Sequence, residues 1–238
     1  MRKIGHYLIS GEIELLSGMR IGGSDDVLQI GGTDLTCIKD PASGRPYIPG
    51  SSLKGRMRSG LEKYHGKVSG GGREPCGCAQ PDCPVCRVFG PHKKTDHQLG
   101  PTRIIVRDAP LSGASFTIEN KTESVNRRDT GAAEHPRTVE RVAAGARFKL
   151  EIGLQEFDID GKFSYSDADG KQLQGREALA EVVWHALDEV ERTGIGAGTG
   201  KGYGQIKIHW DGNLIECKRT SRAKSFVAAP CADGNAAA

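Results

Sequence analysis

Aromatic residues make up only 5% of this 238-residue chain. That is too few for a protein that holds nucleic-acid bases mainly on stacking platforms. Long apolar runs are missing too: nothing approaches the roughly 20 residues that cross a bilayer, so no membrane partner is expected. Charged and polar side chains interrupt the N-terminus from Arg2 onward, leaving no signal-peptide apolar segment, and a cytoplasmic protein is expected. Net charge is small, +3, so the total does not announce a polyanionic partner. A hydrophobic fraction of 37% with 33 glycines leaves material for one core and much loop.

The distribution of charge says more than its sum. Lys54, Arg56 and Arg58 lie close together, and Lys121, Arg127, Arg128, Arg137 and Arg141 crowd a second region. Either cluster alone is also compatible with solvated surface. Acidic residues balance them in 156–169 and 177–191. Seven cysteines in a reducing compartment point to metal ligands or free buried thiols rather than disulfides.

Periodicity outlines an α+β chain. Residues 4–16 alternate as a strand. Pro49-Gly50-Ser51-Ser52 reads as a helix start with Ser51 or Ser52 as N-cap. Leu53, Met57 and Leu61 then mark one apolar face, Lys54 and Arg58 an adjacent one, and Gly66 a stop. Residues 67–100, rich in Gly, Pro, Cys and His, read as an insertion. Strands are expected at 103–109, 148–154 and 205–210, and a polar, basic hairpin at 115–145. A second helix, 176–192, points Leu179, Val182, Val183, Ala186, Leu187 and Val190 inward. Residues 218–238 read as a disordered tail behind a single domain, 1–217. The order strand, helix, strand, strand, helix, strand is that of the ferredoxin-like, RRM-like core. The usual aromatic motifs of RNA-recognition modules are absent from its strands.

Three segments carry chemistry. Cys76, Cys78, Cys83 and Cys86 can close a tetrahedral structural zinc site, with His65, His92 or His97 as substitutes for one cysteine. Redox or free cysteines are the other reading, and Cys37, Cys217 and Cys231 stand apart as unrelated thiols. The loop Gly194–Gly204 alternates glycine six times around Lys201 and Tyr203. With Gly198, Gly200 and Gly202 leaving N–H groups unshielded, it can cradle an RNA phosphate, or else serve as a flexible connector. It lacks the Gly-Lys-[Ser/Thr] ending and following helix of a P-loop. Asp25, Asp26 and Asp34 among glycines are ordinary turn chemistry by composition, although carboxylates on a loop can also hold Mg²⁺.

Taken together, four stretches resemble the RAMP superfamily of CRISPR proteins, and within it the repeating backbone subunit of type III-A (Csm) effector complexes. They are Arg20-Ile21-Gly22-Gly23-Ser24-Asp25 with Asp34, and Lys39-Asp40-Pro41 with Pro46–Arg58, in which Pro-Gly-Ser-Ser-x-Lys-Gly is the most specific block. The others are Lys121-Thr122-Glu123 with Arg127, Arg128, Arg137, Glu140 and Arg141, and the glycine loop ending Gly202-Tyr203-Gly204. The resemblance implies copies lined head to tail along a guide CRISPR RNA, alongside the large signature subunit and small subunits. Lys54, Arg56, Arg58 and the glycine loop would hold guide phosphates, and the 115–145 hairpin would be a thumb that interrupts guide–target pairing. Asp34 would cut single-stranded target RNA beside each thumb with Mg²⁺ or another divalent cation. A zinc knuckle departs from many relatives, so a III-B or III-D subunit is an alternative. So are a catalytically inactive guide-binding subunit and a standalone endonuclease that processes CRISPR transcripts.

Overall fold

The computed structural model describes residues 1–22, 35–68, 72–113, 115–210 and 214–217. The expected tail, 218–238, and the carboxylates Asp25, Asp26 and Asp34 lie outside the described residues. The first strand, β1 (Lys3–Leu15), has the alternation expected of it, with Tyr7, Ile9, Ile13 and Leu15 buried. After the short β2 (Tyr47–Ile48) comes helix α1 (Gly50–Tyr64), whose Leu53, Met57 and Leu61 have no exposed surface. The N-cap expectation needs correction: the helix begins at Gly50, behind Pro49, with no side-chain cap of its own. Instead Asp108, remote in sequence, accepts the Gly50 N–H at 2.7 Å.

Helix α2 (Pro84–Phe89) forms inside the cysteine segment. Strands β3 (Ile104–Val106) and β4 (Ala109–Pro110) follow, the latter pairing with β2. The basic region is a two-stranded hairpin of β5 (Ile118–Asn126) and β6 (Ala133–Val142). Beyond it run β7 (Arg147–Phe157), the small pair β8 (Ser164–Ser166) and β9 (Gln172–Gln174), and helix α3 (Gly175–Thr193). The described chain ends in β10 (Ile206–Trp210) and β11 (Ile215–Glu216).

The main sheet is antiparallel in the order β10-β1-β7-β3, with β11 also on β1. Counting its four principal strands along the chain, the fourth lies beside the first, then the third, then the second. Register sets Ile9 opposite Ile152, and Ile13 opposite both Phe148 and Ile208, so the apolar side chains share one face. The inward residues named for α3 are all buried, and α1 packs against α3. Each fully buried aliphatic side chain contributes roughly 1.5–3 kcal/mol.

The cysteine segment joins this core. Val85, Val88 and Phe89 of α2 are buried, and α2 packs against both α1 and α3. A buried ionic knot holds it there. Asp160, just past β7, takes two bonds from Arg103, Nε to Oδ2 at 2.8 Å and Nη2 to Oδ1 at 2.7 Å. Neither side chain has exposed surface. Arg87 of α2 reaches the same carboxylate at 3.3 Å, and the Phe157 N–H donates to it at 2.9 Å. The rest of the Arg103 fork donates to the carbonyls of Leu99 and Pro101.

Removing one member of such a buried pair strands the other charge. Asp160→Ala is therefore expected to cost about 3–5 kcal/mol. The paired change Arg103→Met with Asp160→Leu should recover most of that loss. Urea unfolding measures both; a single variant within roughly 1 kcal/mol of wild type would show that the knot does not hold the fold.

Candidate nucleic-acid interface and metal centre

Three stretches far apart in sequence meet at the base of the β5–β6 hairpin. Met19 exchanges backbone hydrogen bonds with Val142, at 2.9 and 2.8 Å. Leu35, the residue after Asp34, forms a parallel bridge to Val139, and its carbonyl accepts the Glu140 N–H at 2.9 Å. Gly22 bridges Cys37, whose N–H donates to Glu140, and Lys39 closes on the same carboxylate at 2.9 Å. Burial, reinforced by Glu140, pushes the Cys37 thiol up to about 11, so it is a neutral packing group. The described residues on either side of 23–34, the stretch that holds Asp25, Asp26 and Asp34, are thus tied to the hairpin root.

The glycine loop closes the same junction. Ala197 N–H donates to Arg20 O at 2.8 Å and Gly204 N–H to Gly18 O at 3.0 Å. Part of its glycine content answers to internal crowding. Gly196, at φ +84°, lies where a Cβ would overlap the Arg20 carbonyl, and Gly198, at φ +79°, lies against the Tyr203 ring. Gly200 and Gly202 face open space beside Lys201, so the solvent-facing tip of the loop is short.

Tyr203 is the centre of the loop–hairpin contact. Its ring is buried under two cations, Lys121 Nζ at 4.6 Å and the Arg141 guanidinium at 4.3 Å from the centroid. Its hydroxyl donates to Glu123. Arg137 and Lys201 reach the other oxygen of that carboxylate, at 3.0 and 3.2 Å. The Tyr203 hydroxyl, then Arg137, hold the Glu123 carboxyl down to about 2. Glu123 stood in the hairpin motif but was not among the residues expected to act, because its three donors lie 14 to 80 positions away. At the hairpin tip Arg127 pairs with Asp129 and Glu134, whereas exposed Arg128 has no ion-pair partner among the described residues.

The three cations of α1 separate into different duties. Arg56 donates to the carbonyls of Thr193 and Gly194 at 2.7 and 2.8 Å, capping the C-terminus of α3, where cations oppose the helix dipole. Arg58 pairs with Glu62 one turn on, at 2.8 Å, and donates to Cys76 O at 2.7 Å. Glu62 in turn accepts the Cys76 N–H at 2.8 Å. Lys54, like Arg56, has no ion-pair partner among the described residues; burial, then the Arg58 charge, lower its pKa.

That clamp on Cys76 leads into a four-thiol centre. The sulfurs of Cys76, Cys78, Cys83 and Cys86 lie within 4.8 Å of one another, and four of their separations are 3.6–3.9 Å. Metal–sulfur bonds of about 2.3 Å in a tetrahedron place sulfurs roughly 3.8 Å apart, so the set fits one ion. A bond from the Cys86 thiol draws Cys83 down to about 5, while the same bond, then burial, drive Cys86 up. Burial raises Cys76. Four such thiols cannot ionise together without a cation among them. The histidines named as substitutes are engaged elsewhere: His65 Nε2 bonds Tyr165 at 2.8 Å, and His97 Nδ1 accepts from the Leu99 N–H. His92 meets the centre only by its N–H, which donates to Cys76 O. Cys37 and Cys217 are separate free thiols, and Cys231 lies outside the described residues.

A sheet backed by two helices, with a basic hairpin rooted at a glycine loop, defines a class of protein. The chain belongs to the RAMP superfamily, whose family model matches residues 12–207. Its relatives narrow the class further. A CRISPR system Cms endoribonuclease Csm3 of Methanothermobacter thermautotrophicus is 37% identical, with 87% of this chain and 85% of that protein covered. The Csm3 proteins of Methanocaldococcus jannaschii (37%, covering 90% and 82%) and Mycobacterium tuberculosis (31%, covering 87% and 92%) are also similar. Among solved structures, a chain of the Csm3–Csm4 subcomplex of the type III-A CRISPR–Cas interference complex matches at TM-score 0.52 and 27% identity. The match covers 87% of this chain and 77% of that one. A chain of the type III-B Cmr-β complex bound to cognate target RNA has TM-score 0.57 at 18% identity, covering 89% and 61%, a likeness of fold alone.

The four-thiol centre should take up one equivalent of Co²⁺ with the intense absorption of tetrahedral thiolate coordination. Cys83→Ser should weaken that uptake by an order of magnitude or more, and acid should weaken it further, because the ligands bind as thiolates. A folded protein with no such band would exclude the site.

Proposed function

We propose that this chain is the repeating backbone subunit of a type III-A CRISPR ribonucleoprotein, binding guide RNA and cleaving complementary target RNA at regular intervals. The observation that carries the reading is the junction at the hairpin root. There the segment following Asp34, the glycine loop and the basic β5–β6 hairpin converge on one surface. The relatives named Csm3 endoribonucleases, and the similar fold solved with target RNA, support it. The strand order supports a ferredoxin-like core, and the sulfur separations support zinc as the ion of a structural knuckle. Four protein ligands leave that ion no open position for catalysis.

In this reading the hairpin is the thumb. Lys54, Arg128, Lys201 and the open glycines beside it meet phosphates, and Tyr203 with Lys121 and Arg141 forms the thumb's footing. Arg56, Arg58, Arg127, Arg137 and Arg141 act from positions where their guanidinium groups already bind protein oxygens. Base pairing to the guide supplies sequence specificity, while the protein reads backbone and shape. A target nucleotide turned out at the thumb presents its 2′-hydroxyl to the adjacent phosphate, and Asp34 takes the proton as the oxygen–phosphorus bond forms. Asp34 would also hold a divalent cation, Mg²⁺ or another, which would supply charge stabilisation to the 5′-oxygen as its bond to phosphorus breaks. The proposed assembly gathers guide RNA, further copies, the large signature subunit and small subunits in the cytoplasm; no helix among the described residues is long and apolar enough to cross a membrane.

The test is cleavage of a labelled complementary RNA by the reconstituted complex. Wild-type subunits with Mg²⁺ should yield evenly spaced products, and Asp34→Ala should abolish them by at least a hundredfold while target binding persists. Uncut but tightly bound RNA with wild-type subunits would instead make the chain a guide-holding scaffold. A single purified chain that cuts CRISPR transcripts alone would make it a processing enzyme.

A further inference from the structure

Three donors from two separate regions meet on the single carboxylate of Glu123. The Tyr203 hydroxyl takes one oxygen, and Arg137 Nη2 and Lys201 Nζ take the other, at 3.0 and 3.2 Å. The arrangement is what a phosphodiester asks of a protein: two terminal oxygens, one net negative charge, a hydroxyl, a guanidinium and an ammonium. The two cations are open to the outside, Arg137 with 50% and Lys201 with 58% of the side chain exposed, while Glu123 retains 15%. Lys121 and Arg141 stand over the same tyrosine. The patch therefore holds four cations against two carboxylates, Glu123 and the Glu119 that pairs with Arg141. An anion is favoured there even before Glu123 moves away.

We propose that the Glu123 carboxylate occupies a phosphodiester subsite between the glycine loop and the hairpin, as an internal competitor that bound RNA must displace. The inference rests on the RNA-binding reading above. It adds a role that neither cleavage nor guide-holding requires. Glu123 keeps Lys201 and Arg137 neutralised in the free protein, so that weak or short RNA contacts do not capture the subunit. Displacement by a backbone held at many other points releases both cations to the phosphate. Tyr203 stays in place throughout, because its ring is fixed under Lys121 and Arg141 whichever anion its hydroxyl meets.

The test is binding of a fluorescent single-stranded RNA to the full-length protein by anisotropy, across 50–200 mM salt. Wild type, Glu123→Gln and Arg137→Gln are compared, with melting curves for each. Glutamine keeps an acceptor for Tyr203 and Lys201 but removes the charge. Glu123→Gln is expected to bind roughly three- to fivefold tighter, the scale of one released ion pair. Its salt slope should steepen by about 0.7 for each further single-strand phosphate contact. Arg137→Gln should bind more weakly. Should glutamine disturb melting, Glu123→Thr, suited to an open strand position, gives the same readout. Weaker binding, or an unchanged slope, in a normally melting Glu123 variant would make Glu123 a structural strut and overturn the inference alone. Absence of RNA binding by wild type and every variant would overturn the RNA-binding reading, and the inference with it.

Discussion

The bidentate pair of Arg103 with Asp160 is the constraint from which the arrangement of the surface follows. An ion pair with no exposed surface carries a large desolvation cost, which only a full set of hydrogen bonds offsets. Here the set is filled from three directions: the Phe157 N–H at the end of β7, Arg87 from α2, and the carbonyls that lead into β3. Satisfying Asp160 therefore requires that α2 lie against the sheet end. Once α2 is there, Cys83 and Cys86 are placed at its start, opposite Cys76 and Cys78. Cys76 is gripped on both its N–H and its carbonyl by Glu62 and Arg58 of α1. Two residues before Arg58, Arg56 fastens α1 to the last carbonyls of α3, where the glycine loop begins. A continuous series of polar contacts runs from a buried carboxylate to the glycine loop.

That series explains what could be read along the chain and what could not. Alternation in β1, the four-residue spacing of Leu53, Met57 and Leu61, and the apolar face of α3 are local signals, and the structure realises them. The hairpin announced itself by composition, and four cysteines within eleven residues leave few arrangements other than convergence. Asp160 is the opposite case. It sits in an acidic stretch that looks like solvated surface, and periodicity, which weighs apolar residues, has no means of marking a buried carboxylate. Helix α2 has six residues, begins on a proline and stops at a glycine, too short to show a period. Asp108 caps α1 from 58 positions away, so the serines beside the helix start were the visible candidates and the distant acceptor was not.

The same limit applies to charge. Lys54, Arg56 and Arg58 look like one basic face when only helical spacing is considered. In the fold, Arg56 and Arg58 meet protein carbonyls, whereas Lys54 has no ion-pair partner among the described residues. The resemblance to backbone subunits named a region; the geometry divides its cations into those that build the surface and those left free on it. Net charge is the least informative quantity of all. A value of +3 hides a patch around Tyr203 in which cations outnumber carboxylates two to one.

The glycine loop shows how such a surface can be both open and stiff. A connector chosen for flexibility would have glycines that touch nothing. Here Gly196 and Gly198 are hemmed in by the Arg20 carbonyl and the Tyr203 ring, so the close approach that demands glycine also removes its freedom. Only the tip around Lys201 is unencumbered. Backbone entropy is thus lost on folding rather than on any later binding, and the N–H groups and the Lys201 ammonium are held by a loop already in place. For a subunit repeated along one RNA, that distinction compounds. Every ordering cost removed from a single site is removed again at each copy, so a rigid junction of modest affinity can hold a long backbone in register.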